Sequence, residues 1–183
     1  MFTVHACGFR PRLAVEAANP GTPRLQRIID LIAECKFGIH DLSRVQIASD
    51  GDLPRFNMPF ECGMFIGARF FGGMRHGKKE FLLLESQMHR HQRTLSDAAG
   101  LDPKVHNDDP AVLIACIRAF LAGHIHPRPL GPAHLRRLYE TFNSEYPQLA
   151  ARLGHSPVEL SALDAFADWS WIAADWLAAR AIG

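Results

Sequence analysis

Two features that often reveal the class of a protein are absent from this sequence: a strong charge of one sign and a long apolar run. The 20 basic and 19 acidic residues leave a formal net charge of +1, so neither nucleic acid nor an anionic membrane is expected as a partner. No stretch approaches the roughly 20 apolar residues of a membrane span. The first residues also lack the charged start and apolar core of a secretory signal, and we therefore expect a cytoplasmic protein.

Cysteine is scarce, and the common catalytic motifs are missing. The four cysteines form no C-x-x-C pair, which favours free thiols in a reducing compartment. There is no Gly-x-Gly-x-x-Gly after a strand, no P-loop and no Gly-x-Ser-x-Gly elbow, which excludes the usual dehydrogenases, nucleotide triphosphatases and hydrolases. The pairs His89/His91 and His124/His126 have no third ligand at a familiar spacing, so no metal site is expected.

The sequence does contain an alternation of strand and helix patterns over its first two thirds. Strands are predicted at Pro11–Glu16, Lys36–His40, Glu80–Glu85 and Pro103–His106. Helices are predicted after a Thr22 cap, after an Asn57 cap, and over Pro110–Ala122. Strands that alternate with helices imply right-handed crossovers. The predicted fold class is therefore α/β, a three-layer sandwich with a short parallel sheet.

The composition changes at residues 124–132, where closely spaced prolines predict a stiff linker. Only helical patterns follow, and Ser156 with Glu159 forms a capping box. We therefore predict an α/β domain over residues 1–123 and a helical extension over residues 133–183. The last helix carries three tryptophans, which either pack back onto the sheet or form a dimer or partner surface.

Polar residues are concentrated where the carboxyl edge of the predicted sheet lies. Asp41 directly follows a predicted strand, and Ser43 comes two residues later; Asn57 caps the next predicted helix, and Glu61 is placed in its first turn. Ligands of open parallel sheets bind at this edge. Each acid also has a structural interpretation, Asp41 as a turn former and Glu61 as a solvated capping acid favoured by the helix dipole.

Basic residues surround the same edge. Arg44 and Arg55 flank a polar loop, residues 45–56, and they either clamp a phosphate or are ordinary solvated arginines. The segment Met88–Arg93 follows the Glu80–Glu85 strand and holds two histidines and two arginines. This segment either forms an anion-binding rim or is a solvated loop.

Three segments carry a family resemblance: GFRPRLAVE, IIDLIAECKFGIHDLSR and LPRFNMPFECGMFIGAR. They resemble a group of bacterial TIR-like proteins, related in fold to the nucleoside 2-deoxyribosyltransferases, over roughly Gly8 to Leu121. The resemblance implies a flavodoxin-like domain in which a glutamate that opens a helix attacks or stabilises the anomeric carbon of a nucleoside or of NAD. Glu61 in PFECG is at that position.

The resemblance implies cleavage or transfer at an N-glycosidic bond, with NAD or a nucleoside as substrate and no cofactor. It makes Glu61 and Asp41 the catalytic residues, and the substrate-binding residues are Ser43, Arg44, Arg55 and Asn57. The alternative is a non-catalytic module that senses a nucleotide or binds a partner protein, as in a bacterial defence system.

Relatives of this kind begin with a strand and a helix, and here residues 1–7 are interpreted as the tail of that helix. The first βα unit is therefore expected to be missing. An uncovered apolar face at that edge favours association. We expect a homo-oligomer formed through the N-terminal edge or the tryptophan-rich helix.

Overall fold

A computed structural model describes residues 1–16, 21–44, 56–93, 95–96, 100–156, 158–159 and 165–180. Its contacts divide the chain into two compact units. The sheet unit is Arg24–Leu113, and the helical unit joins Met1–Pro23 to Ile114–Gly183. The helical unit thus takes residues from both ends of the chain, whereas the sequence assigned residues 1–123 to one α/β domain.

The sheet unit is built on three parallel strands: β1 Phe37–Asp41, β2 Glu80–Glu85 and β3 Lys104–Val105. Their order is β1-β2-β3, and in the register Asp41 lies beside Leu84 and Leu84 beside Lys104. The apolar run of β2 is buried from Leu82 to Leu84, as expected for the central strand of a parallel sheet. The mixed α/β class and three of the four predicted strands are confirmed.

Two helices belong to this sheet. Helix α2 spans Arg24–Glu34 and packs against α3, Asn57–Phe71, which in turn packs against β1. The buried face of α3 carries Cys62 and Phe65. This packing positions the side chains of α3 relative to β1, the strand that ends in Asp41.

The predicted strand Pro11–Glu16 is wrong. Those residues form a turn, in which the Glu16 carboxylate accepts a hydrogen bond from the Leu13 N–H (2.9 Å) and pairs with Arg12 at 2.7 Å. Local side-chain hydrogen bonds of this kind satisfy the backbone without a neighbouring strand.

The predicted start of α3 is also wrong. Phe56 is the N-cap, without a side-chain cap hydrogen bond, and Asn57 is the first helical residue. The helix can begin two residues before Pro59 because the first amide groups of a helix need no partner within it. As a result Glu61 is the fifth helical residue rather than a first-turn acid.

The helical unit contains α1 Phe2–Ala6, α5 Pro132–Arg152 and α6 Phe166–Arg180, together with most of α4, Pro110–Ala122. Helix α1 is helical as predicted, but it packs against α5 and α6 of the helical unit, whereas the sequence interpretation made it the tail of a helix of the α/β domain. The buried core joins all three helices through Phe2, Phe142, Ala150, Ile172, Ala173 and Trp176.

Polar contacts of two α6 side chains with one α5 carboxylate join these helices. The Trp176 indole N–H donates to Glu145 at 2.7 Å, and Arg180 pairs with the same carboxylate and stacks over the Trp176 ring. One tryptophan of this helix is therefore core, whereas Trp171 is exposed. The predicted role of the helix in oligomerisation stays a prediction.

The proline-rich segment 124–132 leads from α4 into α5. The Arg118 guanidinium donates hydrogen bonds to the carbonyl groups of Pro129 (2.9 Å) and Leu130 (3.1 Å), which anchors the segment to α4.

Within the described ranges, no helix is both long and apolar enough to cross a membrane.

Candidate functional site

The strongest cluster of polar side chains in the sheet unit lies at the carboxyl ends of β1 and β3. Asp41 Oδ1 accepts hydrogen bonds from the Ser43 backbone N–H at 2.9 Å and from the Ser43 hydroxyl at 2.5 Å. The Ser43 hydroxyl is also 2.9 Å from His106 Nε2, which lies 3.5 Å from Asp41 Oδ1. Asp41 and Ser43, both predicted from the sequence, thus meet here with a histidine that the sequence analysis did not select.

The tautomer of His106 decides what this cluster can do. The backbone N–H of Asp108 donates to His106 Nδ1 at 3.1 Å, so the neutral ring carries its proton on Nε2. That proton is donated to the Ser43 oxygen, and the Ser43 hydroxyl donates in turn to Asp41. His106 therefore does not act as a base toward Ser43, and the arrangement is not a nucleophilic serine triad.

The chain makes an unusual turn after β3 to allow this contact. Asn107 and Asp108 both adopt left-handed backbone angles, with φ of 53° and 54°. Asparagine and aspartate tolerate this region better than other residues with a side chain. Asp109 then caps α4 by accepting the Ala111 N–H at 2.7 Å. The turn points the Asp108 amide back at His106.

The cluster holds the Asp41 carboxylate in one orientation. All its hydrogen bonds among the described residues go to Oδ1, and the side chain is 41% exposed. Ser43 and His106 are buried beneath it. No described residue bonds to the second carboxylate oxygen, which makes that oxygen the candidate acceptor for a ligand hydroxyl group.

A second acid is buried at the end of β2. Glu85 Oε1 accepts hydrogen bonds from the backbone N–H of His91 (2.5 Å) and from its ring Nδ1 (2.7 Å), and both side chains are almost fully buried. This contact fixes the course of the segment Met88–Arg93. His91 therefore does not belong to a solvated anion-binding rim, whereas Met88 and His89 are exposed.

Glu61 lies in a different setting. Its Oε1 accepts a hydrogen bond from Arg24 at 3.1 Å, and its side chain is 19% exposed. Among the described residues Glu61 has no hydrogen bond to Asp41. The structure thus places the predicted catalytic acid in an ion pair with the first residue of α2.

Three further residues were predicted to bind the substrate: Arg44, Arg55 and Asn57. Arg44 and Asn57 are exposed. Arg55 and almost all of the loop 45–56 lie outside the described residues, so their predicted roles stay predictions.

The two buried titratable side chains behind the site, His40 and Cys62, are uncharged at neutral pH. Burial lowers the pKa of His40 to about 4, and its ring meets Phe65 edge-on at 5.5 Å. Burial raises the pKa of the Cys62 thiol to about 11, which removes it as a nucleophile at neutral pH. Within the part of the chain that the structure describes, no three His, Cys, Asp or Glu side chains are grouped as metal ligands would be.

One sequence signal would have found the missed residues. Glu85 ends one predicted strand and His106 ends another, just as Asp41 follows a third. Side chains at the ends of neighbouring parallel strands meet at one edge of the sheet. Applied to the three predicted strands that the structure contains, that rule selects Asp41, Glu85 and His106 together.

Comparisons of the chain with protein-family models, with curated proteins and with solved structures find no match. The TIR-like resemblance therefore stays a prediction. The case for a function depends on the geometry of the sheet unit.

Proposed function

We propose that the sheet unit binds a nucleotide or nucleoside at the carboxyl edge of its sheet and cleaves or transfers the N-glycosidic bond. The observation that carries the proposal is the oriented Asp41 carboxylate, which has one oxygen fixed by Ser43 and the other accessible. A fixed carboxylate at this edge is suited to accept a hydrogen bond from a sugar hydroxyl. Hydrogen bonds to a sugar hydroxyl strengthen as an oxocarbenium-like transition state forms.

Glu61 supplies the negative charge in this proposal. Cleavage of an N-glycosidic bond builds positive charge on the sugar, which a carboxylate in a water-poor site stabilises or traps covalently. The partial burial of Glu61, whose side chain is 19% exposed, supports this role. Of the two arginines predicted to bind a phosphate group, Arg44 lies within the described residues.

The finer fold assignment belongs to the same proposal. Sequential parallel strands in the order β1-β2-β3 match the last three strands of a flavodoxin-like sheet, whose order is 2-1-3-4-5. In such sheets the ligand lies outside the carboxyl ends of the strands. That edge is where Asp41 and His106 are found.

Base release tests the reaction directly. The full chain at high concentration is incubated with NAD and with a panel of nucleosides, and free base is measured by chromatography. Glu61→Gln should keep binding but lower turnover by about 10²- to 10³-fold, the typical cost of losing one electrostatic stabiliser. Glu80→Gln, on the opposite edge of the sheet, is the matched control and should turn over like the wild type. Equal release by Glu61→Gln and the wild type, or no release at all, rejects the enzymatic proposal.

The ion pair of Glu61 with Arg24 favours a second candidate, a module that binds a nucleotide without turning it over. A paired carboxylate is less able to stabilise a cation on a substrate. Calorimetry with the same ligands separates the two functions. Binding that is weakened by Asp41→Asn but accompanied by no base release would favour the sensing module.

A further inference from the structure

Helix α3 exposes an apolar face that the sheet unit does not use. Phe56, Phe60, Phe70, Phe71 and Met74 are all more than half exposed, and Phe71 and Met74 are 90% and 98% exposed. Isolated apolar side chains are common on surfaces, but a contiguous patch on one helix marks an interaction surface.

The centre of this face is made of glycine. Phe60, Gly63, Gly67 and Phe70 follow one another at intervals of three, four and three residues, which places them on one stripe of the helix. A Cβ atom added at Gly63 or Gly67 would meet nothing within 4 Å, so packing within the chain does not require glycine there. Glycine destabilises a helix interior, whereas it allows a second helix to approach closely.

The stripe is symmetric about residue 65. Phe60 and Phe70 are five positions from that residue, Gly63 and Gly67 are two positions away, and Phe56 and Met74 are nine positions away, just beyond the helix ends. When two copies of α3 cross antiparallel on a twofold axis at this level, each large side chain of one copy faces a large side chain of the other. The glycines then face each other at the crossing.

The exposed area agrees with this partner. The five exposed side chains offer roughly 700 Å² per copy, taking about 200 Å² for each whole side chain. Two copies thus supply about 1,400 Å², within the range of about 1,200–2,000 Å² for stable interfaces.

We propose that the protein forms a homodimer through antiparallel packing of α3 against α3 of a second copy, with Gly63 and Gly67 at the crossing. This surface differs from the N-terminal edge and from the tryptophan-rich helix that the sequence suggested. The proposal does not depend on the reaction proposed above.

Sedimentation velocity of the full chain over a range of concentrations tests the proposal. The wild type should be a dimer, and Gly67→Gln should raise the dissociation constant by roughly tenfold or more, since its side chain occupies the crossing. Because that position is open in the monomer and glutamine favours helix, the variant should keep the wild-type circular dichroism. Gly123→Gln, another open glycine outside α3, is the matched control and should remain dimeric.

Disulfide trapping tests the register. Gly63→Cys mixed with Gly67→Cys should form a cross-linked heterodimer, because the antiparallel register places these positions opposite each other. A wild type that is monomeric at every concentration, or a dimer that Gly67→Gln does not weaken, overturns the proposal. A Gly63→Cys chain that cross-links to itself more readily than to Gly67→Cys also overturns it, because that result indicates parallel helices.

Discussion

At the scale of single residues, His40 is a buried imidazole whose surroundings favour its neutral form. Its Nε2 has no hydrogen-bond partner among the described residues, and a Cβ atom at Gly38 would come within 2.7 Å of it. Burying an imidazolium without a partner is costly. His40 therefore couples the stability of the sheet unit to pH.

The direction of that coupling follows from the pKa of His40, which is lowered from 6.5 to about 4 in the folded protein. Between these values the unfolded chain binds the proton and the folded chain does not, so stability falls as the pH drops from 6.5 to 4. The total loss should be about 3 kcal/mol, and it should be absent in His40→Leu. Hydrogen exchange of the β2 amides at several pH values measures it. Parallel pH profiles for the two proteins would contradict the assignment.

The sequence predicted the site unevenly at this scale. Asp41 and Ser43 follow a clear strand, so their place at the sheet edge could be read from the pattern. His106 also ends a predicted strand, so the same pattern places it at this edge, but its tautomer could not be predicted because it depends on the left-handed backbone of Asp108. The partner of Glu61 could not be predicted either, because Arg24 lies 37 residues earlier and meets it only through the packing of α2 on α3.

At the scale of elements, one buried lysine fixes the end of α2. Lys79 Nζ donates to the carbonyl groups of Ile32 and Cys35, and the ammonium group lies 5.3 Å from the centre of the Phe65 ring. The last carbonyl groups of a helix have no partner within it, so a cation at this end both bonds them and complements the helix dipole. Lys79 therefore joins the turn before β2 to α2.

Replacing Lys79 should loosen that helix end. Lys79→Met keeps the length of the side chain but removes the donors, and the sheet unit should lose about 1–3 kcal/mol of unfolding free energy. Amide exchange at Cys35, which bonds to the Leu31 carbonyl, should accelerate first. Lys78→Met changes an exposed neighbour and is the control. Unchanged exchange at Cys35 would show that the lysine does not hold the helix end.

Element boundaries were the least predictable part of the fold. The apolar run of β2 determined its position because both faces of a central strand are buried. The start of α3 was misplaced because Pro59 fits any of the first helical positions. Helix α5 continues through Pro147, although proline disfavours a helix interior, and Phe142 and Ala150 in the core support it.

At the scale of the whole molecule, the helical unit depends on a residue at the start of the chain. The Phe2 ring packs 5.3 Å from the ring of Phe142 and 6.1 Å from that of Trp176. These contacts could not be predicted from the sequence, because they join residues more than a hundred positions apart and α1 is too short to show a helical period.

Phe2→Ala should therefore destabilise the helical unit by about 3–5 kcal/mol, the usual cost of removing a buried phenyl ring. All three tryptophans lie in α6, so their fluorescence during urea unfolding reports on this unit. The β2 amides report on the sheet unit and should be unaffected. Leu153→Ala, at a half-exposed position, is the control. A loss confined to the sheet unit would contradict the division into two units.

The composition of the helical unit from distant segments also has a consequence for synthesis on the ribosome. The sheet unit is complete once Leu113 has emerged, whereas Phe2 cannot pack until Trp176 has been synthesised. At 5–20 residues per second, synthesis of the intervening residues takes about 3–13 s. During that interval the growing chain carries a finished sheet unit behind an apolar N-terminal segment that has nothing to pack on. We expect this segment to be the part of the nascent chain that chaperones bind, and its release to coincide with the emergence of α6.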